Sequence, residues 1–118
     1  MPIHNAIASL AVKDLKPASQ WYERLFGRPP DSKPMPEVVE WKFEAGGWLQ
    51  VYQLPERAGN GSVTLAVTGL DQQIDALESA GIAAGEPMRN PKVNVLMIKD
   101  PDGNSIALAE TLDPTMAR

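Results

Sequence analysis

The chain has 118 residues, 43% of them hydrophobic, with a formal net charge of −4 and no cysteine. This length suits one domain or two small halves that share a core, and the lack of cysteine excludes disulfides and thiolate metal sites. Lys and Arg are scattered singly, which argues against a nucleic-acid partner, and no apolar run approaches the roughly 20 residues of a membrane span.

The beginning of the chain carries a pattern that returns later. Its first residues lack the basic and apolar regions of a secretory signal peptide, which favours a cytoplasmic protein. The first predicted strand lies within SLAVKDL (residues 9–15), and nearly the same letters return as TLAVTGL (residues 64–70). This internal repeat predicts that one structural unit is built twice.

A helix is predicted after each copy of the repeat. Asp14 and Asp71 are the expected N-caps, because a carboxylate can accept hydrogen bonds from the free amides of a first helical turn. Gly27 and Gly81 stand where a helix commonly ends in a left-handed glycine. Trp21 lies on the first of these helices and is predicted to pack beside its neighbour.

A hairpin is predicted after each helix, at residues 37–54 and 93–110, and the turn DPDG joins the strands of the second. The repeat therefore predicts module 1 over about residues 1–55 and module 2 over about residues 62–112, in a single domain over residues 1–118. A ferredoxin-like βαββαβ sandwich and a pair of βαβββ modules both fit. The long connections before the hairpins have room for a short extra strand, which favours the second fold.

Two segments resemble a known family. LAVKDLKPASQWYERLFG (residues 10–27) resembles the opening of the vicinal oxygen chelate superfamily, which includes glyoxalase I, the bleomycin resistance proteins and the extradiol dioxygenases. DPDGNSIALAE (residues 100–110) resembles the final hairpin of that family. The resemblance covers essentially the whole chain. It implies an α+β fold of two tandem βαβββ modules that form a cup-shaped mixed sheet with the helices outside, and a homodimer.

The enzymes of that family hold a divalent metal in the cup with His and Glu side chains. The positions that the resemblance assigns to these ligands carry Ile7, Gln50, Ser62 and Ala107. Ile and Ala have no donor atoms, and Ser and Gln are weak neutral ligands, so we expect no metal and no cofactor. The sole histidine, His4, lies an odd number of residues before Ile7 and therefore on the opposite face of a strand.

The alternation of side chains along the strands predicts which residues line the cup. The lining is small or hydroxylated on most strands, and one strand adds a Trp, a Gln and a Tyr. None of these groups titrates near neutral pH, so no catalytic residue is predicted. For Trp41 and Phe43 the pattern leaves open whether the side chains face the cup or a helix. The predicted ligand-binding residues are Ile7, Ser9, Trp41, Trp48, Gln50, Tyr52, Ser62, Thr64 and Ala107.

Three functions stay open at this point. The first is a homodimer that binds a small, partly aromatic drug or metabolite without metal, as the bleomycin resistance proteins do. The second is a metal-dependent glyoxalase-like lyase, isomerase or dioxygenase with unusual ligands, which would need His4 or Glu110 to enter the cup. The third is a structural or regulatory module whose cup is filled by its own side chains. The lack of metal ligands favours the first.

Overall fold

A computed structural model describes residues 2–117, which divide into two compact units. The first unit runs to Gly61 and includes Asp100–Asn104, and the second comprises Ser62–Lys99 and the chain from Ser105 onwards. Neither α-helix in this part of the chain has the length and apolar character needed to cross a membrane. The first unit contains β1 (Ile7–Val12), α1 (Leu15–Phe26), β2 (Ser32–Met35), β3 (Val38–Lys42) and β4 (Trp48–Gln53). The second contains β5 (Ser62–Ala66), α2 (Leu70–Ser79), β6 (Met88–Arg89), β7 (Val93–Lys99) and β8 (Ser105–Thr111).

This order confirms the α+β class and the two tandem βαβββ modules, and it excludes the ferredoxin-like alternative. Each unit holds a four-stranded mixed sheet, in the order β1-β4-β3-β2 in the first and β5-β8-β7-β6 in the second. The strand β1 runs parallel to β4, and β5 runs parallel to β8, whereas the other neighbouring strands are antiparallel. The short strands β2 and β6 lie in the long connections before the hairpins.

Helix α1 begins and ends where the sequence predicts. The Asp14 carboxylate accepts from the amide of Lys16 at 3.4 Å, and Gly27 adopts the left-handed conformation (φ 71°) and donates to the Glu23 carbonyl. Trp21 and Tyr22 are buried on this helix, with their rings edge to face at 4.8 Å. The predicted packing role of Trp21 is therefore confirmed.

Helix α2 begins at Leu70, so the prediction that Asp71 is its N-cap is wrong. The Glu110 carboxylate on β8 instead accepts from the amides of Gly69 and Leu70, at 2.9 and 3.4 Å. Gln53, at the corresponding end of β4, likewise accepts from the first amide of α1 at 2.9 Å. The first turn of each helix thus receives a hydrogen-bond acceptor from near the end of a strand, from β4 for α1 and from β8 for α2.

The cap at Glu110 predicts a pH-dependent stability. The Asn94 side chain and the amides of Gly69 and Leu70 donate to this carboxylate and hold its pKa below the usual range. A lowered pKa stabilises the fold above the pKa of the unfolded state, and this stabilisation is lost as the pH falls through the folded value. We expect Glu110→Gln to lower the Tm by a few degrees at pH 7, and we expect this difference to shrink as the pH falls below the usual pKa range of a Glu side chain.

Thermal unfolding at pH 7 and pH 3.5 measures this difference. Glu78→Gln makes the same charge change at an exposed position of α2 and serves as the control. A difference between wild type and Glu110→Gln that grows on acidification would contradict the assignment.

Candidate functional site

One face of the first unit's sheet holds most of the predicted binding residues. Along β1 and β4, buried residues such as Leu10 and Leu49 alternate with more accessible ones such as Ser9 and Trp48. The pairing register arranges the face that carries Ser9 and Trp48 in three rows across β1, β4 and β3, and Ala11 and Val38 in the third row are buried. These rows, which we call the open face, are Ile7-Trp48-Lys42, Ser9-Gln50-Glu40 and Ala11-Tyr52-Val38.

The middle row of the open face is a chain of hydrogen bonds. The Ser9 hydroxyl donates to Gln50 Oε1 at 3.1 Å, and Gln50 Nε2 donates to Glu40 Oε2 at 2.5 Å. Both ends of the Gln50 amide are therefore engaged, which fixes its orientation. Glu40 and Gln50 are half-buried, and Ser9 is exposed. The chain gives the centre of the face a defined polar strip.

Aromatic side chains lie on both sides of this strip. Trp48 and Tyr52 are half-buried and lie two residues before and after Gln50 on β4. With a rise of about 3.3 Å per residue, their Cα atoms lie roughly 13 Å apart. The Lys42 ammonium lies 5.9 Å from the centroid of the Trp48 ring, a cation–π arrangement. The open face thus offers two flat rings with a polar strip between them.

Trp41 does not belong to the open face. It pairs with Leu49 across the hairpin and is completely buried. Its ring packs against Tyr22 and Phe26 of α1, at centroid distances of 6.0 and 5.3 Å. The Phe43 ring also packs on Phe26, at 5.3 Å. The structure therefore corrects the assignment of Trp41 to the ligand-binding face, since the register turns it towards the helix.

Three predicted residues lie in the second unit. Ser62 and Thr64 are exposed on β5, and Thr64 pairs with Ala107 on β8. Met97 of β7 pairs with Ala107 from the other side and is 53% exposed. Ser62, Thr64 and Ala107 are therefore brought together on one face of the second unit's sheet, a surface of small side chains beside an exposed methionine.

The residues at the family's metal-ligand positions do not fit a metal ion. Ile7 and Ala107 provide no donor atom, Ser62 is an exposed neutral hydroxyl, and both ends of the Gln50 amide are engaged. His4 is exposed and precedes β1. Among residues 2–117, no group of three or more His, Cys, Asp and Glu side chains is arranged to hold a metal.

Glu40 is a residue of the open face that the sequence did not predict. Alternation orients β1, β4, β5 and β8, and it leaves the face of β3 open. The pairing register of the hairpin could have predicted the position of Glu40, because the turn at residues 44–47 brings Lys42 opposite Trp48. Counting back two residues on β3 and forward two on β4 then brings Glu40 opposite Gln50.

No family model matches the sequence, and no curated protein matches it. Among solved structures, a glyoxalase/bleomycin resistance protein from Catenulispora acidiphila shares 32% identity over 91% of this chain and 97% of that chain, with a TM-score of 0.84. TnmS3, an antibiotic-binding protein from Streptomyces, shares 22% identity over 93% and 97%, with a TM-score of 0.76. Lactoylglutathione lyase from Agrobacterium tumefaciens shares 21% identity over 92% and 94%, with a TM-score of 0.75.

Proposed function

This chain belongs to the glyoxalase/bleomycin resistance family of the vicinal oxygen chelate superfamily, and from this membership we propose that it binds a small, partly aromatic molecule without a metal ion. The observation that carries the proposal is the arrangement on β4, where the polar Gln50 lies between the rings of Trp48 and Tyr52. The antibiotic-binding protein TnmS3, which has the same fold, supports a drug or metabolite as the ligand.

The chemistry of the open face suits a planar ligand. Trp48 and Tyr52 each offer a flat apolar surface with one polar group, which is the usual composition of a site for aromatic molecules. Their separation of roughly 13 Å leaves room for a fused ring system over the polar strip. Ser9, Gln50 and Glu40 then supply the directional contacts that orient the ligand.

A metal-dependent lyase, isomerase or dioxygenase is the alternative in this family. No specific observation favours it, because the positions at which relatives would hold the metal carry Ile7, Gln50, Ser62 and Ala107. The exposed His4 and the helix-capping Glu110 offer no substitute. We therefore propose a binding protein over an enzyme.

We further propose that both modules belong to a single domain, and that the protein is a cytoplasmic homodimer. The strand β1 is an edge of the first unit's sheet, and Ile7 on it is 55% exposed. Ile3, just before this strand, is 87% exposed. A second copy that covers this edge would bury apolar surface and unpaired backbone groups together. On the sheet of the second unit, we propose Ser62, Thr64 and Ala107 as further ligand-binding residues.

We expect Trp48→Ala to lose most of the binding. The test titrates 2-naphthylmethanol, a neutral fused-ring alcohol, into ¹⁵N-labelled protein and follows the amide signals of β4 by NMR. Removing the stacking surface is expected to weaken the affinity by roughly tenfold. Because Trp48 is half-buried, the fold should survive the change.

Two controls accompany this titration. Leu112→Ala removes an apolar side chain that is 51% exposed in the second unit and should leave the affinity unchanged. Adding a chelator to the wild-type protein should also leave it unchanged. Wild-type affinity in Trp48→Ala, or loss of binding with the chelator, would count against the proposal.

A further inference from the structure

We propose that the ligand of the open face carries a cationic amine next to its planar ring, and that Glu40 is the residue that selects it. This inference rests on the proposed function and narrows the class of molecule that the face accepts. It follows from the direction of the hydrogen bonds in the middle row, from the charge of Glu40, which has no ion-pair partner in the described part of the chain, and from the spacing of the rings.

The hydrogen-bond chain in the middle row runs in one direction. Ser9 has a single hydroxyl hydrogen, which is donated to Gln50, and Gln50 uses one of its two amide hydrogens on Glu40. The row therefore ends at a carboxylate, whose two oxygens offer about four acceptor sites in total. The row therefore has one unused donor, the second amide hydrogen of Gln50, and several unused acceptors, the remaining lone pairs of Glu40 and Ser9. A ligand that supplies donors matches this row best.

Within residues 2–117, no contact ion pair neutralises the charge of Glu40. The ion pairs formed within residues 2–117 join Arg28 to Asp31 and Arg89 to Asp71. The hydrogen bond that the structure gives the Glu40 side chain comes from the neutral Gln50 amide. A half-buried carboxylate with a neutral partner gains more from a cationic donor than from a neutral one, because charge-assisted hydrogen bonds are about twice as strong.

Lys42 is the other charged residue of the open face. It lies one row from Glu40 on the same strand, and its ammonium sits over the Trp48 ring. Lys42 is exposed, whereas Glu40 is half-buried, so water screens the charge of Lys42 more effectively. An anionic ligand would be attracted by the exposed Lys42, whereas a cationic ligand would be attracted by the less screened Glu40. The difference in screening therefore favours a cationic ligand.

The distances on the sheet set the size of the ligand. Adjacent rows lie about 7 Å apart along a strand, and neighbouring strands lie about 4.8 Å apart. When the ring of a ligand stacks on Trp48 or Tyr52 of β4, a short aliphatic substituent on that ring is therefore long enough to reach Glu40 on β3. An arylalkylamine, with one to three bonds between ring and nitrogen, has these dimensions.

Three matched probes test the inference: 2-naphthylmethylamine, 2-naphthylmethanol and 2-naphthoate, which differ in the charge beside the same ring. We expect the amine to bind wild-type protein roughly tenfold more tightly than the alcohol, and the naphthoate to bind least tightly. Glu40→Gln keeps an oxygen that accepts from Gln50 but removes the charge. It should weaken amine binding by roughly tenfold and change alcohol binding by less than about twofold.

Glu78→Gln makes the same charge change at an exposed position of α2 in the second unit and should bind all three probes as the wild type does. If the alcohol binds at the open face as tightly as the amine, or if naphthoate binds best, the inference is wrong and the proposed function stands. Unchanged amine binding in Glu40→Gln likewise overturns the inference alone. If no probe moves the signals of β4, the proposed function fails together with the inference. The wild-type ranking decides the question even if Glu40→Gln does not fold.

Discussion

Replacing Trp41 by Ala is expected to lower the free energy of unfolding by roughly 3–5 kcal/mol, the usual range for a fully buried aromatic side chain. Among residues 2–117, Trp41 is the largest side chain with no accessible surface. It lies against Tyr22 and Phe26 of α1, so its removal leaves a cavity between the helix and the sheet of the first unit. Urea unfolding followed by circular dichroism measures the change.

Two further variants separate this effect from a general loss of tryptophan. Trp41→Phe keeps a ring but loses the hydrogen bond from the indole N–H to the Arg28 carbonyl, which spans 3.2 Å. It is expected to cost about 1–2 kcal/mol and remains measurable if Trp41→Ala does not fold. Trp48→Ala removes a half-buried tryptophan and should cost clearly less. Equal losses at Trp41 and Trp48 would contradict the assignment of the two residues to opposite faces.

Trp41 also marks the limit of what the sequence predicts. In EVVEWKF the apolar residues Val38, Val39, Trp41 and Phe43 fall on both faces of the strand, so alternation alone cannot orient β3. The repeated letters at residues 9–15 and 64–70 predict the duplicated modules because each copy is local. The face of β3 depends on which residue lies opposite Leu49, and this is decided by the geometry of the hairpin.

The carboxylates show the same difference between local contacts, which the sequence predicts, and contacts with distant residues, which it does not. Asp14 caps α1 from the adjacent position, and the sequence predicts it. Asp71 has the same local signal, yet the cap of α2 comes from Glu110, which lies 40 residues beyond Leu70 in the chain. Glu40 gains its place beside Gln50 from strand pairing. Residues that act through distant partners therefore escaped prediction, whereas residues that act on their neighbours did not.

The buried polar cluster in the turn DPDG predicts the second large effect. Asp100 is 4% exposed and belongs to the first unit. Its carboxylate accepts from the Tyr22 hydroxyl at 2.7 Å, the Asn104 side chain at 2.8 Å, and the amides of Asp102 and Asn104 at 3.0 and 2.9 Å. Asp100→Asn puts an NH₂ group where one oxygen meets these donors. We expect it to lower the free energy of unfolding by about 2–4 kcal/mol.

The polar cluster also includes Asn104, and its hydrogen bonds support a large loss of stability in Asp100→Asn. Asn104 is completely buried, donates to the Ala11 carbonyl at 2.8 Å and accepts from the Gly61 amide at 2.8 Å. Displacing the Asn104 side chain would leave both of these backbone groups without a partner. Burial, followed by the nearby Asp100 carboxylate, raises the pKa of Tyr22, so its hydroxyl stays protonated and keeps donating. The predicted hairpin turn thus doubles as part of the polar interior of the first unit.

Asp102→Asn is the matched control for Asp100→Asn, because it makes the same substitution two residues away at a half-exposed position of the same turn. It should change the free energy of unfolding by less than about 0.5 kcal/mol. Tyr22→Phe removes one donor and should cost less than Asp100→Asn, about 1–2 kcal/mol. Urea unfolding of the three variants ranks them. If Asp100→Asn and Asp102→Asn unfold at the same urea concentration, the buried hydrogen bonds of Asp100 do not stabilise the protein, and the turn acts only as a hairpin connection.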